Sequence, residues 1–290
     1  MKESFDLQDI DEFKTDTKVG LLATLNNKQL PHITLITTLQ ANSHNTLIWG
    51  AFTDGLSKKH VHKNPQTGFL VLTQERWMWR GKARWTHARH EGDEFKLMNE
   101  KPLFRYNSYF GIHTVHYMDL IETYGRERLL MGQIVPAIVL GKILKTFMRY
   151  PKPLPVLNPW IIDLLDRIDT VKCLAYLDAT GYPRLIPLLQ CQTLDSERLV
   201  FSTLAYHREL SEIPTDQPVA IFALNMKMEN ILLRGQLHAI QPFSSLLPGG
   251  STINAALSIG MIDISWVYNS MPPKQGQIYP PIPIRAVQEF

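Results

Sequence analysis

The chain repeats itself, and the repeat constrains its fold more than any local pattern does. Val19-Gly-Leu-Leu-Ala-Thr-Leu25 returns as Val171-Lys-Cys-Leu-Ala-Tyr-Leu177, with Leu22, Ala23 and Leu25 meeting Leu174, Ala175 and Leu177 at one offset (174 − 22 = 152). Pro31 meets Pro183, and Leu47-Ile-Trp49 meets Leu199-Val-Phe201, at the same offset; Arg80-Gly81 finds Arg234-Gly235 after a two-residue slip (234 − 80 = 154). Landmarks that keep their order and nearly their spacing predict two copies of one unit. A length of 290 residues suits two cores of ordinary size. The expected domains are 1–150 and 151–290, because Tyr150-Pro-Lys-Pro-Leu-Pro-Val-Leu-Asn-Pro159 is too rich in proline for a helix or a central strand.

Each matched element reads as a strand: short, apolar or β-branched, and bounded by turns such as Asn26-Asn27-Lys28 and Ala179-Thr180-Gly181. Phe5 to Phe13 and Trp160 to Ile168 space their apolar residues by threes and fours, which predicts a short amphipathic helix before each first strand. The fold class is therefore mainly β with short helices. The tail from Met271, carrying Pro272, Pro273, Pro280, Pro281 and Pro283, is expected to run extended along the other half or a partner chain.

Bulk composition removes several function classes. A formal charge of +3 without a block of like charges lacks the electrostatic footprint of a nucleic-acid binder. Cys173 and Cys191, the only cysteines, give neither a disulfide framework nor a cysteine metal site, and read as two reduced core thiols. The opening MKESFDLQDIDEF has no apolar signal region, so the expected place is the cytoplasm. Leu129 to Leu144 is apolar but shorter than a spanning helix and interrupted by Pro136, Gly141 and Lys142; it reads as a buried or domain-joining segment, with a membrane-surface helix as the alternative. No Walker loop, HExxH, GxGxxG or Ser/His/Asp order offers a start for hydrolase or nucleotide chemistry.

The stretch that points to chemistry follows the third strand of the first half. There Leu47 to Thr53 runs into Asp54, Gly55, Ser57, Lys58 and Lys59, and then to Asn64-Pro65. Hydroxyls, a flexible backbone and ammonium groups at a helix start satisfy the oxygens and the charge of a phosphate. A Gly-x-Ser-Lys-Lys turn is also an ordinary solvated helix start. Histidines at 60, 62, 87, 90, 113 and 116 admit a metal or haem reading, with scattered surface or hydrogen-bonded groups as the commoner one; no metal site is expected. Trp77, Trp79 and Trp85 alternate on a strand and read as core packing. Asn107 to His116 is dense in aromatic and polar groups and would suit a substrate pocket.

With its flanking strands, this stretch resembles the FMN-binding split-barrel superfamily, to which the pyridoxamine 5′-phosphate oxidases belong. The resemblance rests on Pro31 to Leu39, Leu47 to Thr53, Ser57-Lys58-Lys59, Asn64-Pro65, Gly68 to Thr73 and Arg80-Gly81-Lys82-Ala83, within about residues 15 to 90. A weaker copy spans about 168 to 240. It implies two tandem split β-barrels forming a pseudo-dimer within one chain, with FMN as cofactor. By position, Ser57 and Lys58 or Lys59, with Thr53, would hold the phosphate, while Thr37, Thr38, Trp49 and Gly50 would lie near the ribityl chain or ring. The second copy has Ala205-Tyr-His-Arg-Glu-Leu-Ser211 in that place, where Glu209 repels phosphate and Arg208 alone offers a substitute. One flavin site per chain is expected.

Pyridoxamine-phosphate oxidases carry a terminal arginine- and tryptophan-bearing segment that grips substrate; Pro283 to Phe290 here lacks tryptophan, which disfavours vitamin B6 oxidation. The resemblance implies an FMN-dependent oxidoreductase with a small-molecule electron donor and acceptor, and a homodimer of the tandem chain as a further possibility. No catalytic side chain is assigned. The competing readings are a non-catalytic flavin or haem module, with His113 and His116 the first candidate haem ligands, and a cofactor-free interaction protein.

Overall fold

A computed structural model describes residues 1–15, 17–52, 55–100, 111–147, 154–242, 258–271 and 275–283. Thr53, Asn107 to Phe110, Tyr150 to Pro153 and the final residues from 284 lie outside the described residues. Two compact units divide the chain: Met1–Leu129 with Leu177–Leu185, and Leu130–Tyr176 with Ile186–Phe290.

The first repeat opens with α1 (Leu7–Glu12) and builds a sheet from β1 (Lys18–Leu25), β2 (Pro31–Leu35), β3 (Gln40–Ala41), β4 (Thr46–Ala51), β5 (Gln66–Thr73), β6 (Trp77–Arg89), β7 (Thr114–Thr123) and β8 (Glu127–Arg128). Helices α2 (Leu56–Lys63) and α3 (Asp93–Glu100) lie between strands in sequence. The long helix α4 (Met131–Phe147) and α5 (Pro159–Asp166) come next. The second sheet follows with β9 (Val171–Leu177), β10 (Pro183–Pro187), β11 (Gln192–Thr193), β12 (Arg198–Ser202), β13 (Gln217–Leu224), β14 (Asn230–Leu237), β15 (Gln241–Pro242), β16 (Ser258–Asn269) and β17 (Gly276–Tyr279), with α6 (His207–Ser211) between β12 and β13.

The expected duplication is present strand for strand. The first sheet runs β2-β1-β5-β6-β7-β4-β3 and the second β10-β9-β13-β14-β16-β12-β11, the same order once each strand is replaced by its copy. Their ladders are antiparallel and share a register. Leu22 faces Phe69 and Leu174 faces Ile221, so the 152-residue offset carries through β5 and β13 (221 − 69). Leu70 faces Arg80 and Phe222 faces Leu232, so Arg80 takes the place of Leu232 (232 − 80 = 152).

This corrects the two-residue slip expected at Arg80-Gly81: the counterpart of Arg234 is Lys82, and both strands bulge immediately after that residue. The two Arg-Gly pairs resemble each other for separate reasons. A Cβ on Gly81 would overlap the Glu122 carbonyl oxygen, and one on Gly235 the Asp263 carbonyl oxygen. Trp49 faces His116 and Phe201 faces Gly260, so β7 and β16 correspond at an offset of 144 (260 − 116).

The first core sits around α1. Phe5 and Phe13 flank that helix, and their rings meet edge to face at 5.1 Å, with Phe13 also 5.1 Å from Trp79. Trp49, Phe69 and Val71 complete the cluster, and Trp77 and Trp85 pack against it. Full burial of each such side chain stabilises by roughly 1.5–3 kcal/mol. In the second unit Asn158 caps α5 by accepting from the Ile161 N–H at 2.9 Å. Lys172, buried in β9, donates to the carbonyls of Leu165 and Cys191 at 2.7 Å each, and burial pulls its ammonium down to about 8.

The tip of the β9–β10 hairpin, residues 177–185, belongs to the first unit. Lys82 Nζ reaches Asp178 at 2.6 Å, Glu122 at 2.8 Å and the Thr180 hydroxyl at 3.1 Å. Arg80 grips Glu127 with two bonds of 2.8 and 3.1 Å and donates to the Leu185 carbonyl at 3.3 Å.

Helix α4 buries Ile134, Ala137 and Ile138 while Val135, Val139 and Ile143 stay about half exposed, so the expected buried segment is a one-faced helix. No helix among the described residues is long and apolar enough to cross a membrane. The tail departs from expectation: β17 pairs with β16 of its own sheet.

Candidate functional site

The end of β4 leads into α2, and the residues singled out for phosphate binding gather there. Gly55 precedes the helix with an extended backbone (φ −164°, ψ 167°); it offers no side-chain cap, and no acidic residue occupies the first turn. Among the described residues no side chain caps this helix start, whose backbone N–H groups and positive dipole end suit an anionic acceptor. Ser57 is buried, and its hydroxyl forms a short contact with that of Thr34 on β2. Lys58 is half-buried, whereas Lys59 points into solvent.

Thr38 and Gly50 come together in a different role. The Thr38 hydroxyl accepts from the Gly50 N–H at 2.9 Å and donates to the Gly50 carbonyl at 3.0 Å, pinning the turn after β2 to β4. In the second unit Gln190, the counterpart of Thr38, donates to the carbonyl of Ser202, the counterpart of Gly50, at 3.1 Å. The pin is thus a property of the repeat. Gly50 leaves room for Ile112 and Met98, whose atoms would lie within 3.0 Å of an added Cβ. Thr37 is half-buried in the same turn.

Trp49 is fully buried and stacks on His116 with ring centroids 3.8 Å apart and planes 6° from parallel. Trp85 Nε1 donates to His116 Nδ1 at 3.2 Å. His62 of α2 sits edge-on to Trp85 at 4.7 Å and 6.4 Å from His116. Burial, and then the charges of Lys58, His62, His113 and His90, push His116 down to about 3. Its imidazole is neutral at any physiological pH, and because Nδ1 accepts, the ring proton is on Nε2.

The sequence did not single out Thr34, and it offered His116 only as a candidate metal or haem ligand, without its Trp49 and Trp85 partners. Thr34 lies 23 residues from Ser57 and only the β1–β2 register brings them together. His116 could have been found through its cross-strand partner, had the β4–β7 pairing been known. Among the described residues no group of three His, Cys, Asp or Glu side chains could hold a metal ion.

At the equivalent places the second unit is apolar or acidic. Thr34, Ser57, Lys58 and His62 become Ile186, Glu209, Leu210 and Pro214, while Trp49, Trp85 and His116 become Phe201, Leu237 and Gly260. Arg208 is almost fully exposed and pairs with Glu212 at 3.5 Å. The polar constellation belongs to the first unit alone.

No family model matches the chain, and no curated protein does. Among solved structures it is similar to an FMN-binding protein from Syntrophomonas wolfei (15% identity, 42% of this chain and 84% of the other, TM-score 0.34). HupZ of Group A Streptococcus matches at 14% identity over 41% of this chain and 92% of its own, with a TM-score of 0.35. A FAD-binding protein from Mesorhizobium loti matches at 18% over 41% and 93%, with a TM-score of 0.30.

Proposed function

We propose that the chain is an FMN-binding flavoprotein with one cofactor site, in the first of two tandem split-barrel domains (1–150 and 151–290), and that it serves as a flavin-dependent oxidoreductase. The observation that carries this reading is the Thr34–Ser57 hydroxyl pair beside half-buried Lys58 at the uncapped start of α2, a set absent from the second unit. Two hydroxyls, the backbone donors of a helix start and an ammonium match the three oxygens and the charge of a phosphate monoester.

Bound FMN would supply hydride and single-electron chemistry. The chain's own residues bind and orient: Ser57, Thr34 and Lys58 hold the phosphate, and Thr38 keeps Gly50 and Trp49 in place through the backbone. Lys58 takes the inward role and Lys59 remains in solvent. The proposal places the protein in the cytoplasm, with a small-molecule electron donor and acceptor; reduced nicotinamide is the first donor to test.

Titrating the purified apoprotein with FMN and with riboflavin tests the phosphate reading. FMN should bind at least about tenfold more tightly, since charge-assisted contacts contribute roughly 1.5–3 kcal/mol. Equal affinities would remove the phosphate from the account.

A further inference from the structure

Helix α4 turns an apolar face outward. It packs on β12 and buries Ile134, Ala137 and Ile138, while Val135, Val139 and Ile143, four residues apart, are 49%, 53% and 47% exposed. Pro136 is exposed as well. Two polar bonds hold the helix in this rotation: Gln192 of β11 donates to the Ile138 carbonyl at 2.7 Å, and Lys145 pairs with Asp166 at 2.7 Å. Helix α3 shows the usual arrangement in the same chain, burying Met98 and exposing Asp93, Lys96 and Glu100. Among the exposed described residues of α4, Lys142 is the only charged one.

Charge selects the partner. Residues 131–162 contain Lys142, Lys145, Arg149 and Lys152 and no aspartate or glutamate. They hold four of the chain's 30 lysines and arginines and none of its 27 acidic residues, so the rest of the chain has 26 cations against 27 anions. The four positive charges of this segment therefore account for the whole formal charge of +3. An apolar stripe within a basic segment matches a bilayer surface, which offers acyl chains beneath anionic headgroups. A second copy of the chain fits less well. The stripe offers on the order of a few hundred Å², against roughly 800 Å² per partner in a stable protein interface, and a two-fold pairing would bring two basic segments together. At 17 residues, with Pro136 and Lys142 within it, the helix is suited to lie on a membrane and too short to cross one.

We propose that the Val135, Val139 and Ile143 face of α4, with Lys142 beside it, docks on an anionic lipid bilayer, the helix lying in the plane of the headgroups. This surface needs no flavin and stands apart from the reading of the first unit.

The test incubates the full-length protein with vesicles of phosphatidylcholine alone and of phosphatidylcholine mixed with phosphatidylglycerol, and measures the fraction that sediments with lipid. The protein should bind the mixed vesicles, bind the neutral ones at least about tenfold more weakly, and leave the mixed ones as salt rises. Combining Val139→Asp with Ile143→Asp puts carboxylates at exposed positions and should cut binding to the mixed vesicles by about tenfold or more, with the urea-unfolding midpoint unchanged. Lys142→Glu should weaken binding to the mixed vesicles only.

A polarity-sensitive dye on Val139→Cys keeps the question answerable should the double variant fail to fold. Cys173 and Cys191 are buried, so the label goes to the new thiol, and its emission should move to the blue with mixed vesicles. No sedimentation with either vesicle, equal binding to both, or an emission unmoved at saturating lipid would overturn the proposal. A concentration-dependent dimer that the double variant dissolves, without lipid binding, would also overturn it and give the face to a second copy.

Discussion

Lys58 and Lys59 are identical neighbours in sequence, and only the helix they start tells them apart. Lys58 is half-buried beside the His116 cluster, while Lys59 is exposed. Lys58→Ala should weaken FMN binding by about 1–3 kcal/mol, and Lys59→Ala by no more than about 0.5 kcal/mol, in a flavin-fluorescence titration. His116 carries a separate, pH-dependent expectation. Its folded value of about 3 lies below the ordinary 6.5, so between those limits the unfolded chain binds the extra proton. Stability from its neutral burial is complete above about 6.5 and falls away as pH drops toward 3, by an amount on the order of a few kcal/mol. His116→Phe should flatten that part of the curve in urea unfolding followed from pH 7 to pH 4; an unchanged slope would show that His116 does not carry it. Ser57 and Lys58 stood out in the sequence because they adjoin in one turn; Thr34, which a distant strand brings beside Ser57, did not, and His116 stood out only as a candidate haem ligand, without the tryptophans that hold it.

At the scale of elements, strand order was readable because a repeated strand keeps its spacing, but bulges were not. Register on either side of Lys82 depends on how one backbone passes another, and no residue type announces it. The bulge has an energetic counterpart in the contacts of the hairpin tip. Lys82 is 7% exposed, and although burial opposes its charge, the bonds to Asp178 and Glu122 win and raise its pKa. Burial likewise opposes the Asp178 carboxylate, yet the bonds from Lys82 and Thr180 hold it below the usual carboxylate range. Removing one partner strands the other, so Lys82→Ala should cost about 3–5 kcal/mol in urea unfolding, less where water reaches Asp178. The equivalent pair of the second sheet, Arg234 stacked 3.8 Å over Trp266, is built of different chemistry in the same ladder place. A loss below about 1 kcal/mol for Lys82→Ala would contradict the account of the Lys82–Asp178 pair.

The whole molecule is a duplication in which the first copy carries the Thr34, Ser57 and Lys58 set at α2 and the second has Ile186, Glu209 and Leu210 in its place. The sequence made the duplication visible through residues that both sheets need for packing, such as Leu22 and Leu174 or Trp49 and Phe201. It made the asymmetry visible only in part, through Glu209, because the remaining losses depend on which residues the two ladders bring opposite each other. A chain with one retained site should take up one flavin, and that number separates the account from its rivals. The visible absorption spectrum of the purified protein, recorded before and after FMN is added and the excess removed, measures it directly. The account predicts flavin bands equivalent to about one FMN per chain, lost on combined substitution of Ser57 and Lys58. Two equivalents, a sharp haem band, or a colourless protein that refuses FMN would contradict it.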